Sequence, residues 1–441
     1  MNVNVAAEGY KVSVESVAGL ERRLTIRVPS AEIEREISLR LAKVGKTAKL
    51  KGFRPGKIPE KVVRQYYGGQ VRDEVLSDVI RTSYSRAIAD QKLNPAGGPR
   101  IEALRGETPD DQSHFTYRAT FEVFPDIALL PLEQLAIEVP RVAIEDADVD
   151  EMIQKLRSQR ATWRAVERKA ASGDRVIVDF DGTIDGMPFQ GGAGKDVTIV
   201  VGGGQVLAEF DAALSGAAAS DERTASVTFP ANYPTKDVAG KTAEFTIKVQ
   251  RVEEQVLPDV DDAFAASFGV STGKAADLGA EVRKNMEREL AERVKNETKT
   301  RAFDALLKAN AISVPRALVE QEIQALQQAA MRDLGITDPA RVPSRERFLA
   351  AAERRVAVGL LIQELVREHK IRLDAARVER RIQELAAPYE KPNEAAQFYR
   401  SDRSVMAQVE AGVLEDQVVD FLLERAKKSD TALMFKDFMG A

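Results

Sequence analysis

Residues Gly52 to Pro59 read Gly-Phe-Arg-Pro-Gly-Lys-Ile-Pro. Two glycines and two prolines exclude a helix interior or a central strand, so the stretch is a loop. Its side chains suit anion recognition: Arg54 and Lys57 supply positive charge, and Phe53 supplies a ring. The flanks strengthen the charge. Between Arg40 and Arg64 stand Arg40, Lys43, Lys46, Lys49, Lys51, Arg54, Lys57, Lys61 and Arg64 against the single acid Glu60, so 9 − 1 = +8, in a chain of net charge −5. A cationic tip with one aromatic, on an acidic protein, fits docking to a polyanion. A solvated helix–loop–helix face with Phe53 turned into the core accounts for the same composition, and both readings stand at this point.

Other chemistries are excluded early. The chain has no Cys, so disulfides, thiolate catalysis and Cys-ligated metals are out. Its two histidines, His114 and His369, are far apart, which argues against a multi-His metal site or a Ser-His-Asp triad. They are expected on a strand surface and at a helix C-terminus. No metal and no cofactor are expected.

The elements that must carry the loop follow from periodicity. Val12, Val14 and Val17, then Leu24, Ile26 and Val28, predict a hairpin about Ala18-Gly19-Leu20. Ser30 is a plausible N-cap, and Ile33, Ile37, Leu41 and Val44 recur at helical spacing up to the loop. Pro59 opens the next helix. Gly68-Gly69 is expected to break it, with a longer helix after the break, and two strands are expected near Arg100–Leu104 and Phe115–Val123. Residues 1–125 then form one α+β domain. Gly52-Phe53-Arg54-x-Gly56-x-x-Pro59 between two helices resembles the ribosome-docking signature of the trigger factor family of bacterial chaperones. The resemblance makes Gly52, Phe53, Arg54, Pro55, Gly56, Lys57, Ile58 and Pro59 the expected ribosome-binding residues.

Residues 126–172 read as a Pro-punctuated linker or arm and a connecting helix from Asp146 to about Arg164, with Trp163 near its end. Residues 173–256 change texture. Val176, Val178 and Phe180 alternate, as do Val197, Ile199 and Val201. Asp181-Gly182 and Asp185-Gly186 signal turns, and Val206–Leu214 predicts a short helix. Gly202-Gly203-Gly204 is not a phosphate loop, because no Gly-Lys-Ser/Thr follows. A β half-barrel with one short helix is expected. Asp179-Phe180-x-Gly182, Asp185-Gly186-x-x-Phe189, Gln205-Val206-Leu207 with Phe210, Pro230-x-x-Tyr233 and Glu244-Phe245 resemble FKBP-type prolyl isomerases. The resemblance implies an apolar wall of Phe180, Phe189, Leu207, Phe210, Tyr233 and Phe245 as the catalytic pocket. Such a wall needs no nucleophile or metal. It binds the proline ring and desolvates an X-Pro amide whose resonance sets a barrier of roughly 20 kcal/mol. Two positions depart from the family pattern: Gln190 stands where an acid usually follows the second Phe, and Glu209 where Gly usually precedes the helix aromatic.

Residues 257–441 are expected to be an all-helical domain with long arms: helices near Ala275–Asn310, from Pro315, and over Arg345–Lys370, Asp374–Ala387, Asn393–Arg400 and Val405–Ala426. Five of the eight Met lie here, which suits an adaptable surface. The apolar tail Leu433–Met439 has no evident role. The fold class is multidomain α+β. The resemblance implies an ATP-independent chaperone that meets nascent and unfolded polypeptides at the exit tunnel of the large ribosomal subunit, touching protein and ribosomal RNA there, with prolyl isomerase activity and a homodimer off the ribosome. Two other readings remain: a stand-alone isomerase with helical dimerisation arms, and a nucleic-acid-binding protein led by the basic loop, against which overall acidity argues. No secretory signal is read at the start. The longest apolar run, Val356–Leu361, is too short to span a bilayer, so a cytoplasmic protein without membrane contact is expected.

Overall fold

The computed structural model describes residues 10–48, 50, 53, 58–104, 113–336, 338 and 341–440. The chain divides into two compact units, residues 1–139 with 297–430, and residues 140–296 with 431–441.

In the first unit, strands β1 (Lys11–Ala18) and β2 (Glu21–Pro29) form the expected hairpin. Helices α1 (Ser30–Thr47) and α2 (Glu60–Asp90) follow, then strands β3 (Arg100–Leu104) and β4 (His114–Glu122). The antiparallel sheet runs β1-β2-β4-β3. Leu24, Ile26 and Val28 alternate into the core and face Ala119, Tyr117 and Phe115 across the ladder. α1 covers that core with Ile33, Ile37 and Leu41, and α2 with Val63, Val71, Val75 and Val79. Two expectations need correction. Ser30 does not cap α1: the cap position is Pro29, with no side-chain bond, and the Ser30 N–H donates to the Ser113 carbonyl (2.9 Å). Nor does Gly68-Gly69 break α2, which runs unbroken through both. Each helical glycine costs about 1 kcal/mol relative to Ala, whereas burying each of Val63, Val71, Val75 and Val79 contributes about 1.5 kcal/mol or more. The continuous face therefore wins.

Strand β5 (Ala136–Ala143) lies in the stretch expected as a linker. Leu132, Leu135 and Ile137 join the core made by the end of α6 (Ala275–Ala309), α8 (Glu346–His369) and α11 (Arg403–Arg425). The helix expected over 146–164 is shorter: α3 spans Asp146–Gln159, and Trp163 lies on strand β6 (Thr162–Val166) instead. Pairing of Thr162–Val166 with Val252–Val256, and the stacking of the Arg175 guanidinium on Trp163 (4.6 Å), override helical periodicity there.

The second unit is built on β7 (Arg175–Ile184), β8 (Met187–Val200), α4 (Ala208–Leu214), β9 (Glu222–Thr228) and β10 (Thr242–Val256). The order is β6-β10-β7-β8, with β9 on β10, all antiparallel. α4 sets Phe210 and Leu214 against Val176, Val178, Ile199, Val227, Ile247 and Val249. A separate cluster joins α3, α5 (Asp262–Ser267) and the first half of α6.

The remaining helices are α7 (Arg316–Asp333), α9 (Ala375–Ala386) and α10 (Pro392–Ser401). Their starts are legible: Pro315 precedes α7, and Asp374 and Asp402 accept the first N–H groups of α9 and α11. The chain end adds one strand to this helical text. β11 (Lys427–Met434) pairs with β5, and α12 (Phe435–Met439) follows. His369 ends α8 and His114 begins β4, as expected. Among the described residues no helix is long and apolar enough to cross a membrane.

Candidate functional site

The six side chains expected in the pocket come together. Phe180 is on β7, Phe189 on β8, Leu207 just before α4, Phe210 on α4, Tyr233 in the loop after β9, and Phe245 on β10. Phe210 and Phe245 are 5% and 6% exposed, while Phe180, Phe189, Leu207 and Tyr233 are half-buried around them and keep an accessible face. Phe180, Phe210 and Phe245 meet edge to face, with centroids 5.3–5.9 Å apart. Phe245 also meets Phe189 at 6.0 Å. Such edge-on contacts fix ring orientation better than area burial alone.

Phe229 completes the chain. It stands 6.0 Å from Phe189 and 4.9 Å from Tyr233, so it links the Tyr233 ring to the rings already joined through Phe245. The motif match passes over it; its place directly before Pro230 of the Pro230-x-x-Tyr233 match is the signal that was there to read. It also closes the loop that bears Tyr233: the Phe229 N–H donates to the Lys241 carbonyl (2.9 Å), and the Gly240 N–H to the Phe229 carbonyl (3.1 Å).

Glycines let the rings lie against the sheet. Gly182 faces Phe245 across the ladder, and Gly194 faces Phe180. A Cβ on Gly182 would come within 2.6 Å of Phe245 Cδ1, one on Gly194 within 2.8 Å of Phe180 Cε1, and one on Gly192 within 2.8 Å of Phe189 Cε1. Gly192 and Gly194 were not singled out in the sequence, because a Gly-rich run reads first as a turn and only second as a strand that a ring approaches closely.

Polar groups hold the frame outside the rings. The Asp179 carboxylate accepts from the Asp196 N–H (2.8 Å) and from Gln250 Nε2 (2.7 Å), and these bonds keep its carboxyl below the usual range. This ties down β8 where the ladder is irregular beside Phe180. Asp211 on α4 accepts the Gly202 N–H with both oxygens (3.0 and 2.9 Å), anchoring the glycine loop that leads to Leu207. Gln190 and Glu209, the two departures from the family pattern, are both exposed.

The basic loop lies between α1 and α2. Phe53 is 40% exposed, which overturns the alternative in which it is tucked into the core. Its N–H donates to the Leu50 carbonyl (3.1 Å). Ile58 packs against the first-unit core, and Pro59 is exposed at the N-cap of α2. Gly52, Arg54, Pro55, Gly56 and Lys57 lie outside the described residues. Among the described residues, Arg40 pairs with Asp78 (2.9 Å) and Arg64 with Glu34 (3.6 Å), both away from the tip.

This sheet, with its ring cluster and short helix, is a prolyl isomerase module. Residues 166–250 match the family model for FKBP-type peptidyl-prolyl cis-trans isomerases. The flanks match models described as bacterial trigger factor protein (residues 10–156) and its C-terminus (274–424). Trigger factor of Thioalkalivibrio sulfidiphilus is 45% identical over 430 residues, covering 97% of this chain and 98% of that protein. Trigger factor of Alkalilimnicola ehrlichii is 42% identical over 432 residues, covering 97% and 95%. A solved structure of the trigger factor chaperone aligns with a TM-score of 0.48 at 16% identity, covering 94% of this chain and 99% of that one. The chain belongs to the trigger factor family. It is a ribosome-associated chaperone that interacts with nascent chains and carries an FKBP-type isomerase domain, and the reading as a stand-alone isomerase is not favoured.

Proposed function

We propose that Phe180, Phe189, Leu207, Phe210, Tyr233 and Phe245 form the wall on which X-Pro bonds of a client chain are isomerised, with Phe229 behind them. The observation that carries this is the continuous edge-to-face contact of rings from three strands, a helix and the loop after β9. An apolar wall removes water from the amide. The planar form, with its larger dipole, loses more solvation there than the twisted form, so the barrier falls. No proton transfer and no covalent step are involved.

In the same reading, Gly52 to Pro59 dock the chain on the large ribosomal subunit beside the tunnel exit, Phe53 against protein and the cations against ribosomal RNA. The docking domain is residues 1–125, the connecting arm 126–172, the isomerase 173–256, and the helical client-binding domain 257–441. The protein works in the cytoplasm and forms a homodimer off the ribosome. The experiment is proline-limited refolding of a model substrate with the full chain. Tyr233→Ala, which removes a half-buried ring and leaves the core in place, should lower catalysis at least tenfold. Full activity in that variant would remove the wall from the mechanism.

A further inference from the structure

The ladder beside Phe180 is irregular on both sides of β7 at nearly the same height. Toward β8, Val178 faces Val197 and Phe180 faces Gly194, so Lys195 and Asp196 together stand opposite Asp179. Toward β10, Val178 faces Val249 and Ile177 faces Arg251, so Gln250 has no opposite residue. Each extra residue makes a β-bulge, which bends its strand and raises the local twist. Asp196 adopts a φ of 51°, in the left-handed region that residues with a side chain rarely enter.

One carboxylate spans the two bulges. Asp179 Oδ1 accepts the Asp196 N–H (2.8 Å), and Asp179 Oδ2 accepts from Gln250 Nε2 (2.7 Å). Alternation along β7 puts this carboxylate on the face opposite the Phe180 ring. Its neighbours there are polar: Asp181, Lys195, Glu222 and Lys248. Asp179 therefore does not face a proline held on the rings.

The β8 bulge sets the slot for Phe180. A Cβ on Gly194 would lie 2.8 Å from both Phe180 Cε1 and Val197 Cγ2, so the ring and the valine meet above that glycine. Gly194 and Val197 are the residues on either side of the bulge. Their separation, and with it the place of the ring, depends on how Lys195 and Asp196 are folded. From that place Phe180 meets Phe210 and Phe245 edge to face.

We propose that Asp179 is a positioning residue for prolyl isomerisation: by strapping the β8 bulge to the β10 bulge, it holds the Phe180 ring in place against Phe210 and Phe245. The proposal rests on the reading of the ring wall as the place of isomerisation. Losing the strap leaves the apolar area of the wall intact and moves one ring within it. Binding by burial follows area, whereas lowering the barrier follows geometry, so the loss falls on kcat and not on KM.

The test measures kcat and KM for a short X-Pro peptide with the full chain, at a temperature where each variant is folded by circular dichroism. Asp179→Ala should lower kcat on the order of tenfold and leave KM within about twofold. Asp181→Ala, on the same outer face of β7, should leave both unchanged. Gln250→Glu replaces the donor by a second acceptor and should lower kcat several-fold. Adding Asp179→Asn to it should restore kcat, because the new amide donates to the new carboxylate while its oxygen still accepts the Asp196 N–H. If Asp179→Ala does not fold, the Gln250→Glu variant and its double variant decide alone. A lower melting temperature with kcat intact, or a rise in KM alone, would overturn the proposal. So would equal kcat for Asp179→Ala and Asp181→Ala, or failure of Asp179→Asn to restore Gln250→Glu. Tyr233→Ala, measured alongside, separates the strap from the wall. A damaged Tyr233→Ala beside a fully active Asp179→Ala removes only the strap, and full activity in both removes the wall as well.

Discussion

On the five-stranded sheet and its short helix, Phe180, Phe189, Phe210, Phe229, Tyr233 and Phe245 are gathered from distant positions into one run of ring contacts. In α7 to α11 the apolar residues are divided instead among several cores, the largest being the one α8 and α11 share with the end of α6. One small core joins α7 to α8 through Val319, Ile323 and Ala352, and another joins α9, α10 and α11 through Val378, Ile382, Ala396 and Val413. Leu334, Tyr389 and Phe398 are left exposed, and a shallow hollow of about 320 Å³ is floored by Leu318, Val356 and Leu360. The difference teaches what each region can select. A concave wall of fixed rings recognises one small shape, the prolyl ring, and changes the energy of one bond. Scattered apolar spots gain roughly 25 cal/mol per Å² from whatever covers them, so they hold many sequences weakly. Catalysis and capture are therefore expected to be separable.

The largest expected effect removes neither region but the attachment they share. Replacing Phe53, Arg54 and Pro55 by Ala should weaken ribosome co-sedimentation by well over tenfold, since an exposed aromatic and an Arg anchor each contribute on the order of 2 kcal/mol at an interface centre. Isomerase activity and suppression of aggregation should stay unchanged. For the unaltered chain, raising salt should weaken ribosome binding, as counterion release at phosphate requires. Salt-independent pelleting would point to a docking contact made without the cations.

Gly194→Ala probes the sheet side of the comparison. The new Cβ would press on the Phe180 ring, and overpacking of this kind costs about 1–3 kcal/mol. Displacing Phe180 into the hollow should also lower isomerase turnover several-fold. Gly279→Ala, on α6 with open space around it, is the matched control and should cost nothing. Thermal unfolding and proline-limited refolding measure both.

A smaller effect separates the isomerase unit by its acid response. The Arg168 guanidinium (2.9 Å), with the Ala171 N–H, holds the Asp174 carboxyl below the usual carboxylate range. The folded pKa thus lies below the unfolded value near 4, so protonation favours unfolding. The stabilisation is complete above about pH 4 and is lost as pH falls through the folded pKa. Arg168→Leu removes the main cause, so acid unfolding of this unit should begin at higher pH than in the unaltered chain. The single Trp, Trp163 on β6, reports it by fluorescence.

Much of this was legible in the sequence because local signals and tertiary packing agree. The helices from α6 to α11 begin and end within a few residues of the positions set by periodicity, Pro315 and Asp374; α11 starts at Arg403, two residues before the expected Val405. The rings of the proposed wall were legible as a motif, and the fold brings them into contact. The losses occurred where packing overrides local preference. α2 passes through two glycines because valines on either side of them are buried on one face. Trp163 is on a strand because a partner strand and Arg175 are there to receive it. Gly192 and Gly194 announce a turn until the rings that cover them are known. The tail Leu433–Met439 shows no period because its residues divide between the end of β11 and α12, which present different faces.

The separation of catalysis from capture is tested most directly by one variant with two readouts. In the full chain carrying Tyr233→Ala, proline-limited refolding and suppression of aggregation of a proline-poor unfolded protein are measured on the same preparation. The account expects isomerase activity to fall at least tenfold while suppression stays within about twofold of the unaltered chain, since it places capture on the spread apolar side chains of the helices and not on Tyr233. Loss of both together, with the fold intact by circular dichroism, would place client capture in the aromatic hollow and contradict the account.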